Sequence, residues 1–392
     1  MRRLIAALAL FATPALADDT TTSAMIASEG LTRTAAQLET QPPSPDRDMA
    51  LAATRFLGGI QTAYQTRWRI GFTDPLLPVP VLGTPLPQNP QPQPMQPDTI
   101  TELARELDSA MQTTREALPG EDAALILDLN DLWFDVNTNG SRDPGEDLLT
   151  LIGLPLPEGA GTQIRFDGSD RHWLDAYTRL IQTATAMVLA FDPEPVLERR
   201  QAETLQWLEQ FAEPPGQMAR APRYYREADA YGPILDLVYS VVEILRQQPD
   251  AAKVAEARDH AAAMIAANRA FWQAVAAEQD NDREWIPNDA QTAALGFDIP
   301  QGAGTAWLGV LDDAEALLEG RMLVPHWRFA PGYGIDLPAW LDDPQPVDLL
   351  GWLQGSDALA YAKPGLTVGY DKLESFTDMF SGRAGLYMVL FN

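Results

Sequence analysis

Residues Asp135 to Glu146 read Asp-Val-Asn-Thr-Asn-Gly-Ser-Arg-Asp-Pro-Gly-Glu, with oxygen-bearing side chains at the first, third, fifth, ninth and twelfth positions. A hard divalent cation such as calcium takes six to eight oxygen ligands, and a loop with this spacing wraps them around one centre. Asp135, Asn137 and Asn139 would supply side-chain oxygens, and Ser141 its backbone carbonyl. Asp143 would bind directly or through water, and Glu146 with both carboxylate oxygens. Gly140 occupies the sixth position, where the chain must turn sharply with a positive φ. Three carboxylates and two neutral amides place the expected affinity at the weak end, roughly 10⁻⁴ to 10⁻³ M.

Residues 132–146 of the 392, from Leu132-Trp133-Phe134 through Glu146, resemble the EF-hand-type calcium loops of exported bacterial proteins, including those in serine-aspartate repeat adhesin modules. The resemblance implies calcium ligation and nothing more. Arg142 stands at the eighth position, where paired EF-hands carry an apolar residue that joins partner loops. No second loop of this kind occurs in the chain, so the resemblance implies a lone structural site rather than a cooperative switch. Leu125, Leu129 and Leu132 before the loop, and Leu148, Leu149 and Ile152 after it, suit helices, so the β-structured adhesin fold is not expected.

Other chemistries leave weaker traces. The chain has no Cys, which excludes disulfides, thiolate metal sites and Cys nucleophiles together. His172, His260 and His326 share no metal-ligand spacing. His326 lies in an aromatic loop, Val324 to Gly334, that could line a pocket for a sugar or an aromatic ligand. Neither a Gly-x-Ser-x-Gly elbow nor a Gly-rich phosphate loop is present. The leading expectation is therefore a non-enzymatic calcium-binding protein. The alternative is a secreted hydrolase acting on saccharide or cell-wall material through paired carboxylates.

The surroundings of such a loop are acidic: 28 Lys and Arg against 55 Asp and Glu, a net charge of -27. That surface repels nucleic-acid phosphates and anionic membranes, and tolerates divalent cations. Met1-Arg2-Arg3, an apolar run from Leu4 to Ala12 and a small-residue ending at Ala17 describe a secretory signal peptide over residues 1–17. No later stretch approaches the ~20 apolar residues of a membrane-spanning helix. A periplasmic or secreted location is the expectation.

The elements that must hold the loop are mostly helical. Apolar residues recur at helical spacing over 22–38, 49–68, 101–118, 123–134, 173–191, 196–211, 234–245, 250–278, 306–318 and 339–353. Ser44 or Asp48 is placed to cap the second of these, and Asp170 the fifth. Nine prolines between Pro75 and Pro97 forbid helix there and favour an extended surface segment. Short strands are expected at 163–166, 366–369 and 385–391. The expected fold class is mostly α: an irregular multi-helix bundle with long loops and few short strands. Its expected divisions are a signal peptide (1–17), an N-terminal helical segment (18–73), a Pro-rich connector (74–98) and a main helical domain (99–392) containing the calcium loop.

Overall fold

Helical periodicity dominates the computed structural model, which describes residues 21–74, 83–120, 122–153, 156–157, 159–211, 223–380 and 384–391. The expected signal peptide lies outside them. The chain is mostly α. It begins with α1 (Thr21–Thr40), α2 (Pro45–Arg69) and α3 (Thr99–Glu116), followed by strand β1 (Leu125–Asp128), the short helix α4 (Leu148–Ile152) and strand β2 (Gln163–Phe166). Helices α5 (Asp170–Phe191), α6 (Glu194–Phe211), α7 (Arg223–Leu245), α8 (Ala251–Ala277) and α9 (Ala303–Leu318) follow. The C-terminal part holds β3 (Tyr333–Ile335), α10 (Leu337–Asp342), α11 (Leu349–Gln354), β4 (Ala362–Pro364), α12 (Asp371–Met379) and α13 (Ala384–Phe391). Among the described residues the strands make two antiparallel pairs, β1 with β2 and β3 with β4.

Ser44 caps α2: its hydroxyl accepts the Arg47 N–H at 3.2 Å, and Pro45 opens the first turn, where its missing N–H costs nothing. α2 packs between α1 and α3, and α3 packs on α5, which lies along α8. One apolar core joins α1, α2 and α3 to β1, the start of α5 and both flanks of the loop 135–146. It thus draws on residues from both sides of the proline-rich stretch. A second core gathers α8, α9, α12 and α13 around Phe271, Phe376 and Phe391. A smaller third core seats Trp340 against Ala190, Phe191 and Val254.

The described half of the proline-rich stretch is tethered to the end of α2. Leu86 is buried and its N–H reaches Thr73 O at 2.8 Å; Asn89 Nδ2 donates to Trp68 O at 2.8 Å, and Gln93 N to Arg69 O at 2.8 Å.

Four local expectations are corrected. The run around 125–129 is a strand, not helix: it is a short apolar run, and Leu125 to Leu127 are all buried against β2 and the core. Short apolar runs carry no periodicity that separates a strand from a buried helix. The same ambiguity reverses residues 384–391, which form α13 with Tyr387 and Phe391, one turn apart, buried against Phe380. Residues 366–369 form no strand beyond a single bridge between Thr367 and Leu323. The helix expected over 339–353 is two short helices, parted where Pro344 and Pro346 interrupt the backbone ladder.

Candidate metal centre

The loop 135–146 is closed at its base by backbone pairing rather than set between two helices. Phe134 N donates to Glu146 O at 2.9 Å, and Leu148 N to Leu132 O at 3.0 Å. The buried side chains of Leu132, Trp133 and Phe134 anchor the entering limb. Trp133 Nε1 donates to Ile26 O at 2.7 Å, and its ring fills a break in α1 at Gly30, where φ is 78°. A Cβ on Gly30 would stand 2.9 Å from that ring, so only glycine serves both the conformation and the approach. Phe134 meets Tyr64 of α2 edge-on at 5.2 Å.

Helix α2 also grips the first ligand position. Gln61 Oε1 accepts the Asp135 N–H at 2.9 Å, and Gln65 Nε2 donates to Asp135 O at 2.7 Å. Two glutamines one turn apart thus hold both backbone groups of Asp135. Sequence reasoning missed them. Their signal was a polar pair at i and i+4 on the face of α2 that otherwise enters the core; Gln61 itself is buried.

Inside the loop the side chains fold back on the backbone. Asp135 Oδ2 accepts the Gly140 N–H at 3.0 Å, Asn137 Oδ1 that of Asn139 at 3.0 Å, and Asn139 Oδ1 that of Ser141 at 2.8 Å. These are the local turns that short polar side chains favour. Gly140 has φ 73°, as the sixth position requires. Asp143 Oδ2 accepts the amide groups of both Asn137 and Asn139 at 2.7 Å. Glu146 points inward and is 1 % exposed; its Oε1 accepts the N–H of Val136 at 2.9 Å and of Asn137 at 3.3 Å, and its Oε2 that of Asp143 at 2.9 Å. Asp135, Asn137, Asn139, Asp143 and Glu146 are therefore joined in one hydrogen-bonded enclosure. Ser141 sits exposed at its tip, held by its N–H.

The enclosure is electrostatically loaded. Burial pushes the Glu146 carboxyl above its ordinary range, three backbone N–H groups pull it back, and the like charge of Asp135 adds to the upward push. Asp135 Oδ1 is buried without a hydrogen-bond partner. Arg142, the one cation within the loop, pairs instead with Asp147 and donates to Asn130 O at 2.8 Å. A water-accessible pocket of about 340 Å³ opens beside Asn137, Asp143 and Glu146, walled on its far side by Pro87 and Pro90. Among the described residues no three His, Cys, Asp or Glu side chains form a cage of their own. A cation here would thus have to draw on the amide oxygens as well.

The other candidates are committed elsewhere. His326 Nδ1 accepts the Arg328 N–H at 3.3 Å, which leaves the proton on Nε2, facing Trp352 O at 3.1 Å. Trp327 Nε1 donates to Leu353 O at 2.9 Å. The aromatic loop thus straps α11 in place, with both imidazole nitrogens occupied.

Carboxylates gather instead where β2 and α5 meet the end of α8. The Ser169 hydroxyl contacts Asp167 Oδ1 at 2.7 Å and also Glu278. Burial raises the Glu278 pKa, and the hydrogen bonds from Ser169 and Gln291 pull it back. Its other oxygen accepts Gln291 Nε2 at 3.2 Å, so both oxygens are engaged, although Glu278 borders a pocket of about 440 Å³ with Asp280 and Asp289. Asp170 is fully buried, its carboxyl pushed well above the usual range by burial and by Asp167, Glu278 and Glu284.

No helix among the described residues is long and apolar enough to cross a membrane. No family model, no curated protein and no solved structure matches the chain, so the site stands on its own geometry.

Proposed function

We propose that the protein is an exported calcium-binding protein whose single loop, Asp135 to Glu146, holds the ion as part of its framework. The observation that carries this reading is the Asp135 carboxylate, one oxygen of which is buried and unpartnered inside a loop that also encloses Asp143 and Glu146. A buried acceptor without a donor costs about 1–3 kcal/mol, and more when charged. A cation removes that cost.

Asp135, Asn137, Asn139, Asp143 and Glu146 would offer side-chain oxygens and Ser141 its carbonyl. Bound calcium would supply positive charge beside the Asp135 carboxylate, with the amide oxygens completing what the carboxylates alone do not enclose. The chain's own part is to aim the ligands. Gln61 and Gln65 hold Asp135, and the Phe134–Glu146 pairing holds the twelfth position. The loop base is continuous with the core through Leu132 and Leu148, so an ion here stiffens packing between α2, β1 and α4. That is a structural role, in keeping with a lone loop and a chain that has no disulfide to staple it. The signal-peptide pattern of residues 1–17 supports export to a compartment that supplies calcium, and the net charge of -27 is compatible with a divalent cation.

Calorimetric titration of chelator-treated protein tests the reading. One site per chain is expected, lost in Asp135→Ala combined with Glu146→Ala. Absence of a saturable site in the wild type would overturn it.

A further inference from the structure

The N-terminal core is not filled. Between α2, the β1–β2 pair and α5 lies a cavity of about 150 Å³ to which only carbon atoms are exposed. Protein interiors are close-packed, and voids larger than a water molecule are few. This one is not the product of small side chains: Phe56, Phe166, Trp173 and Trp285 stand in its wall with leucines from β1 and from both flanks of the loop. Asp170 is the only polar residue among these, and its Oδ2 is turned to the Asp167 N–H at 3.0 Å. The Trp285 indole N–H is buried without a hydrogen-bond partner, and no polar surface faces the cavity. Water entering would therefore meet no exposed polar surface.

Size and wall together set the ligand. Apolar cavities of about 150 Å³ accept benzene. Phe166 and Trp285 lie 5.8 Å apart and tilted, and Trp173 meets Trp285 edge-on at 5.7 Å. These edges and faces offer an incoming ring the geometry that aromatic groups prefer. Phe166, Trp173 and Trp285 are each part-exposed, and the cavity is not sealed, so a path to the surface exists.

We propose that this cavity is a binding site for a small monocyclic aromatic group without a polar substituent on its buried part. The site is distinct from the metal loop and stands whether or not the loop holds calcium.

Toluene and phenol are the probes, titrated calorimetrically into the full chain. Toluene is expected to bind one site with a dissociation constant below about 1 mM. Phenol is expected to bind at least about tenfold more weakly, because its hydroxyl would be buried unpaired. Ala53→Phe, which places a ring in the cavity, abolishes toluene binding while circular dichroism remains unchanged. If that variant fails to fold, Leu57→Trp is read in its place. No toluene binding at millimolar concentration overturns the site. So does phenol binding as tightly as toluene, or undiminished toluene binding in a folded cavity-filling variant.

Discussion

Glu146→Gln isolates the metal reading, because it removes one charge and keeps the shape. In the calcium-free protein the change cuts both ways. The amide relieves a desolvated carboxylate and its repulsion from Asp135, but one of its ends must face a backbone N–H that Glu146 now accepts. These effects are each on the order of 1 kcal/mol and oppose one another. The melting temperature of the variant alone therefore decides nothing; the shift caused by calcium does. With a dissociation constant of roughly 10⁻⁴ to 10⁻³ M, calcium at about 10 mM stabilises the folded state by about 1.4–2.7 kcal/mol. For a chain of this size that is a rise of about 2–3 °C in melting temperature. Without the bidentate arm the rise should fall below about 1 °C. Magnesium at the same concentration controls for diffuse binding to a surface of net charge -27. It demands a smaller octahedral shell and dehydrates reluctantly, so its effect should be well under half that of calcium. Scanning calorimetry of both proteins, each with calcium, magnesium or chelator, reads all of this. Equal calcium shifts in wild type and Glu146→Gln would refute the reasoning, as would equal shifts from the two metals.

Gln65→Ala removes one side of the α2 clamp on Asp135; a loss of about 1 kcal/mol in calcium-free stability and a several-fold weaker calcium titration are expected, against no change in affinity if the clamp is idle. Gly30→Ala forces a side chain into positive φ and against Trp133, and should cost about 1–3 kcal/mol or more in denaturant unfolding. Asp170→Asn bears on pH. The folded-state pKa of Asp170 lies above its unfolded value, so its contribution to stability is fully present below the unfolded pKa and is lost as pH rises through the folded one. Glu278 and Glu284 shift in the same direction. The variant should therefore gain stability over wild type at pH 8 and little or none at pH 4; a gain of equal size at both would count against the buried acid. Asn268→Leu strands two buried groups, the Trp307 indole N–H it accepts at 2.9 Å and the Phe391 carbonyl it donates to at 2.7 Å, and chemical denaturation should show a loss of about 2–5 kcal/mol.

What could be read without coordinates was whatever depends on neighbours along the chain. Helical spans follow from a 3.6-residue apolar period, the cap of α2 narrows to Ser44 or Asp48, of which the structure uses Ser44, and the turn at Gly140 follows from the twelve-residue spacing around it. All are interactions within a few residues, where the order of side chains dictates geometry. Short apolar runs escaped this logic. Residues 125–128 became a strand because β2 lay beside them, and 384–391 a helix because Tyr387 and Phe391 had α12 and α8 to pack on.

Tertiary structure alone decided the rest. Gln61 and Gln65 come to Asp135 from 74 and 70 residues away, and Ser169 reaches Glu278 across 109. Trp133 finds the break at Gly30 across more than a hundred residues, through its bond to Ile26. No local pattern encodes such pairings, since they exist only once chain entropy has been spent on bringing the segments together. The ligand types at Asp135 to Glu146 were written locally. Their burial, the unpartnered oxygen of Asp135 and the carbon-lined cavity beneath the loop's flanks arise from what the remainder of the chain packs around them.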